Sequence, residues 1–159
     1  MTTISPTVRT AATVGDVLAT VHETWMEQVA TYLAPALSEE ADFWSRWAAV
    51  RFLSDQFGDR FRLECALLDE LDPLLPVEVT GTLASARAGL EHTTADLTIV
   101  GRRRATGLLT ARLTRRLIDQ LALWCVEVEL ATDRIETAEL SPEPRRLLTT
   151  LRAAHALSQ

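Results

Sequence analysis

Two long apolar stripes at helical spacing constrain this chain more than any other feature. Phe43, Trp47, Val50, Phe57, Phe61, Cys65 and Leu68 recur at steps of 4, 3, 7, 4, 4 and 3, with Ser54 in the gap. Such steps place every member on one face of an α-helix. The phase runs unbroken through Gly58, whose cost in a helix interior is only ~1 kcal/mol. The stripe therefore predicts one long helix over about 39–71, with Ser38 as N-cap, Glu39, Glu40 and Asp42 in its first turn, and Pro73 and Pro76 as its stop. The second stripe, Leu109, Leu113, Leu117, Leu121, Trp124, Val128, Ala131 and Ile135, steps by 4, 4, 4, 3, 4, 3 and 4. It predicts a second long helix over about 105–138. Within it, Trp124, Val126, Val128 and Leu130 alternate with Cys125, Glu127 and Glu129, which is a strand pattern. Eight stripe positions outweigh seven alternating residues, and the helix is the stronger reading.

The remaining segments read around these two. Val14, Val17, Leu18, Val21, Trp25, Val29 and Leu33, with Asp16 in the first turn, predict a helix over about 15–34. Leu83, Leu90 and Leu97 suggest a helix over 82–96, while the β-branched flanks 77–79 and 97–100 leave strands open as an alternative. Ser141-Pro142-Glu143 opens a last helix with Leu147, Leu148, Leu151, Ala154 and His155 facing inward. Helices of ~33 residues are ~50 Å long and pack best side by side. The expected fold is all-α, an up-and-down bundle of four to five helices. The expected organisation is a flexible N-terminal leader over 1–13 and one bundle domain over 14–159.

Composition removes other classes. The chain has 159 residues, of which 47% are hydrophobic and 24% charged, so it carries enough apolar material for a single core. No apolar run approaches the ~18–20 residues of a membrane-spanning helix, and residues 1–14 lack the apolar core of a signal peptide. A cytoplasmic protein without membrane contact is expected. Every basic side chain is Arg, with no Lys and no Asn, which points to a GC-rich, bacterial source.

Motifs with chemical content are scarce. Cys65 and Cys125 form no CxxC pair, and both fall on apolar helix faces as core thiols. The residues three before His22, His92 and His155 are Ala19, Gly89 and Arg152, so no Glu-x-x-His metal motif exists. His22-Glu23 does not begin an HExxH motif, because position 26 is Met. There is no nucleophile elbow, phosphate loop or dinucleotide loop. No metal, no cofactor and no catalytic residue is expected, and the reading favours a non-enzymatic protein. Asp69, Glu70 and Asp72 crowd the C-terminal end of the second helix, as a solvated helix end does.

Charge is uneven along the chain. The net charge is −6, yet residues 97–118 hold six Arg and no acid: Arg102, Arg103, Arg104, Arg112, Arg115 and Arg116. With the Leu83–Leu90 segment resembling the first helix and turn of a helix-turn-helix, this window makes nucleic acid a rival partner. The surplus of acids elsewhere argues instead that these Arg pair with carboxylates. A second apolar face on the 39–71 helix carries more weight. Phe52, Leu63 and Leu67 project opposite the main stripe, with Trp44 on a flank. Either that helix is central in a five-helix arrangement or this face meets another chain. The expected function is accordingly protein–protein contact, as an oligomeric scaffold, adaptor or regulatory subunit, with itself or a partner protein. The alternative is a small-ligand pocket between helices lined by Trp25, Trp47, Phe61 and Trp124.

Overall fold

Five helices make up the computed structural model, which describes residues 12–103 and 111–157: α1 (Val14–Leu33), α2 (Phe43–Leu71), α3 (Val77–Arg103), α4 (Ala111–Thr132) and α5 (Pro142–Leu157). The all-α bundle is what the two stripes required. Among the described residues no strand forms, and the one β-bridge joins Thr13 to Glu136.

Local chemistry sets the helix ends. Thr13 opens α1 with a reciprocal capping box: the Asp16 amide donates to Thr13 Oγ1 at 2.9 Å, and the Thr13 amide donates to Asp16 Oδ2 at 3.2 Å. The start of α2 differs from expectation. Asp42, not Ser38, is the cap, accepting from the Ser45 amide at 2.7 Å. That backbone bond, first among its causes, holds the Asp42 carboxyl below its ordinary pKa. Arg46 supplies the reason for the later start. Its guanidinium reaches back to the carbonyls of Ala36 at 3.1 Å and Ser38 at 2.6 Å, tying down the 3-10 turn Pro35–Leu37.

The open segments 77–79 and 97–100 are both part of the continuous α3. Threonine accounts for this. Thr82, Thr93, Thr94 and Thr98 each donate the side-chain hydroxyl to the carbonyl four residues earlier, at 2.9–3.1 Å, so these β-branched residues sit within helical geometry. The strand alternative at 124–130 also fails. Trp124, Cys125, Val128 and Ala131 are buried, whereas Val126 and Leu130, which a strand would turn inward with Trp124, are exposed. At its end α4 stops at Thr132, short of 138. The chain turns there to return Ile135 to α1, where the Val14 amide donates to the Ile135 carbonyl and the Thr137 amide to Ala12 at 3.3 Å. Gly15 permits that closeness: a Cβ on it would lie 2.3 Å from Asp133 Cα. In α5, Leu147, Leu148 and Leu151 are buried as expected, but Ala154 is exposed.

The helices pack in an order that decides where a site can lie. α4 runs between α1 and α3, and α2 packs against α5 and α1. α2 and α4 therefore meet across the core through long side chains, and α2 and α3 lack the close backbone approach of the other neighbours. Among the described residues no helix is long and apolar enough to cross a membrane.

Candidate functional site

The centre of the bundle holds a polar cluster inside an apolar shell. Glu64 falls on the α2 stripe, three residues after Phe61 and four before Leu68, which turns its carboxylate inward; it is completely buried. Three donors converge on it from three helices. His22 of α1 brings Nε2 to 2.7 Å of Oε2, Trp124 of α4 donates Nε1–H to Oε1 at 3.4 Å, and Arg60, one turn earlier on α2, sets Nε 3.4 Å from Oε1. The Arg60 approach is a charge contact of poor hydrogen-bond geometry, since its Nε and Nη2 find no hydrogen-bond partner. The guanidinium also lies 4.8 Å above the Trp25 ring, where a weakly hydrated cation is well placed.

Electrostatics follow from this burial. A carboxylate taken wholly out of water is retained only when paired, and here one cation and two N–H donors offset its desolvation. Cys65 and Cys125 sit beside the cluster as inert thiols. Burial first pushes the Cys65 thiol up to about 11, with Arg87 opposing. Burial again, then the Glu64 charge, raises that of Cys125. Neither is a nucleophile at neutral pH. With Glu64 closed to solvent, the cluster is a clamp joining α1, α2 and α4. Among the described residues no group of three or more His, Cys, Asp or Glu is placed to hold a metal.

The expected pocket residues separate into two places. Trp25, Phe61 and Trp124 do surround the cluster, Phe61 packing edge-on to Trp124 at 4.9 Å and Trp25 against Phe57 at 5.9 Å. Trp47 stands apart near the start of α2, stacked on Phe43 at 6.2 Å. The expected interface also dissolves as a unit. α5 packs against α2, Leu67 is buried and Leu63 is half-buried. Phe52 and Trp44 remain exposed, with Phe52 stacked on Tyr32 at 4.4 Å. The four residues of the expected face are therefore not equally placed, Leu67 and Leu63 lying inward and Phe52 and Trp44 outward.

Of the basic window, Arg112, Arg115 and Arg116 are exposed on the first turns of α4, and Arg116 pairs with Asp96 of α3 at 2.8 Å. Arg102 and Arg103 fall on the last turn of α3, and Arg104 lies outside the described residues.

Two features escaped the sequence reading. The first is the Glu64 cluster, signalled by a charged residue in phase with an apolar stripe. The second is an exposed apolar row on α4, Leu123, Val126 and Leu130, at 45%, 49% and 64% exposure. Its steps of three and four are those of a helix–helix seam, on the side opposite Leu117, Leu121, Trp124 and Val128. A groove of about 160 Å³ runs beside its end, lined by Glu78, Val79, Thr82, Glu127, Leu130 and Ala131. Comparison with known proteins returns no match: no family model, no curated protein and no solved structure is significantly similar to this chain.

Proposed function

We propose that this chain is a protein–protein interaction module that pairs with a second copy of itself through the outward face of α4. The observation that carries the reading is the exposed row Leu123, Val126 and Leu130, a seam left open by the described residues of the bundle. The charges along α4 fit a second copy running antiparallel. Arg112, Arg115 and Arg116 occupy the N-terminal end, followed by the exposed Asp119 one turn before Leu123, while Glu127 and Glu129, with Glu78 alongside, occupy the C-terminal end. About a two-fold axis at Leu123, residue 130 of one copy is level with residue 116 of the other. The carbon stem of each Arg116 then covers a Leu130, while its guanidinium stays on Asp96 of its own copy. The apolar row runs from 123 to 130, ~11 Å of α4, suited to a reversible pair rather than an obligate one.

Analytical ultracentrifugation tests this. The wild type is expected at about twice 17.6 kDa at tens of micromolar, shifting towards monomer as salt screens the end charges. Val126→Glu with Leu130→Glu is expected to give a monomer of unchanged helicity. A wild type that stays monomeric, or a doubly substituted protein that still pairs, overturns the proposal.

A further inference from the structure

α2 contains a glycine that packing does not explain. Gly58 sits in the middle of a 29-residue helix, where glycine costs ~1 kcal/mol relative to alanine. At Gly15 the reason is a backbone 2.3 Å from where a Cβ would be; at Gly58 a Cβ would meet only Arg62 Nη1, at 3.9 Å. What Gly58 does border is a half-open cleft of about 210 Å³, in the gap that α2 and α3 leave in front of α4. Phe57 and Phe61 flank Gly58 on the wall, their rings 5.1 Å apart and tilted by 31°, while Leu90 comes from α3 and Leu117 and Leu121 from α4. A side chain at 58 would project into this space. The missing Cβ keeps it open.

The lining selects a chemistry. Its apolar part is aromatic and leucine-rich, which favours a flat ring over an extended polar molecule. An apolar cavity of ~150 Å³ accepts benzene, so this volume accepts one substituted ring or two fused rings. The polar groups of the lining are Ser54, Thr94 and Glu91. Glu91 is already matched by Arg87 at 3.0 Å, so the site carries no uncompensated charge for an ionic ligand. The Thr94 hydroxyl donates to the Leu90 carbonyl at 2.9 Å, which leaves it an acceptor. We propose that this cleft is a binding site for a small neutral aromatic molecule of one or two rings that bears a single N–H or O–H donor. The ring lies between Phe57, Phe61 and Leu117, and the donor reaches the Thr94 hydroxyl.

Indole is the probe, followed by ¹⁵N-resolved NMR titration of the full chain, with indole-3-acetate as its charged counterpart. Saturable shifts confined to residues around 53–61, 90–94 and 117–121 are expected with indole. Binding about tenfold or more weaker is expected with the acetate, because the guanidinium groups near the cleft are already paired, Arg87 with Glu91 and Arg62 with Asp59. Gly58→Leu fills the space and is expected to weaken indole binding by about tenfold or more without loss of helicity, and Thr94→Phe at the exposed mouth, read alongside it, serves the same purpose from α3 without altering α2. The monomeric Val126→Glu, Leu130→Glu protein is expected to bind indole normally, because the seam and the cleft lie on opposite sides of α4. Absence of saturable binding at millimolar indole, or undiminished binding in both blocking variants, overturns the proposal.

Discussion

Removing the Glu64 carboxylate puts the largest single energetic demand on this fold. In Glu64→Leu, Arg60 keeps its charge at 6% exposure with no anion beside it, and His22 Nε2–H and Trp124 Nε1–H lose their shared acceptor. Breaking one side of a buried ion pair costs ~3–5 kcal/mol, because an uncompensated charge stays in the core. Arg60→Met is milder, ~1–3 kcal/mol, since Glu64 retains His22 and Trp124 as donors and the thioether packs on the Trp25 ring. Carrying both substitutions removes the orphaned charge altogether. What remains is two N–H groups without an acceptor, ~1–3 kcal/mol in total. The double variant is thus expected to be more stable than Glu64→Leu alone, with a coupling of ~2 kcal/mol or more. Urea unfolding monitored by circular dichroism, read at constant m-value, measures all three. Costs that add to within ~0.5 kcal/mol would show that Arg60 and Glu64 do not act as a pair, and the clamp account would be wrong.

Gly15→Ala forces α1 away from Asp133 and strains the Val14–Ile135 and Thr137–Ala12 bonds, for an expected loss of ~2–4 kcal/mol. Thermal unfolding reads it as a fall of ~2–4 °C per kcal/mol, and an unchanged midpoint refutes the contact. Gly81→Ala, exposed within α3 with nothing within 4 Å of its would-be Cβ, is expected to stabilise by ~0.5–1 kcal/mol, and a loss would contradict the open space. Cys65 and Cys125 are expected to resist a thiol reagent at pH 8 until the protein unfolds; rapid labelling of the native state would contradict their burial. Because burial raises the Cys65 thiol from 9.0 to about 11, the folded form holds its proton longer than the unfolded one. Stability is therefore full below pH 9 and lost as pH rises towards 11, and Cys65→Ala is expected to reduce that slope.

Helix existence was legible in this sequence wherever a stripe ran for several turns, and illegible wherever one residue type carried two meanings. The α2 stripe passes through Gly58 and so does the helix, because one glycine costs less than re-nucleating a second helix. The threonine-rich stretch of α3 looked equally suited to strand ends. Its hydroxyls return to carbonyls within the same helix, a bond that spacing alone does not reveal. Boundaries moved for reasons distant in sequence. Arg46 fixes the turn before α2, and the return of Ile135 to Val14 ends α4.

Sites were harder to read than elements, and the reason lies in what a stripe measures. An apolar residue off the main face of a helix is either covered by a further helix or left in water, and the spacing is the same in both cases. Leu67 of α2 is buried and Leu63 half-buried, whereas Val126 and Leu130 of α4, at the same kind of spacing, are exposed. Only the packing order of the helices separates the two, and that order depends on side chains such as Glu64, whose partners lie 42 and 60 residues away. The central clamp thus bears on the surface. It holds α1, α2 and α4 together with Trp124 turned to the core and Val126 and Leu130 turned outward. If the clamp sets that orientation, Glu64→Leu should perturb the α4 seam as well as stability, whereas Leu130→Glu should leave the clamp intact.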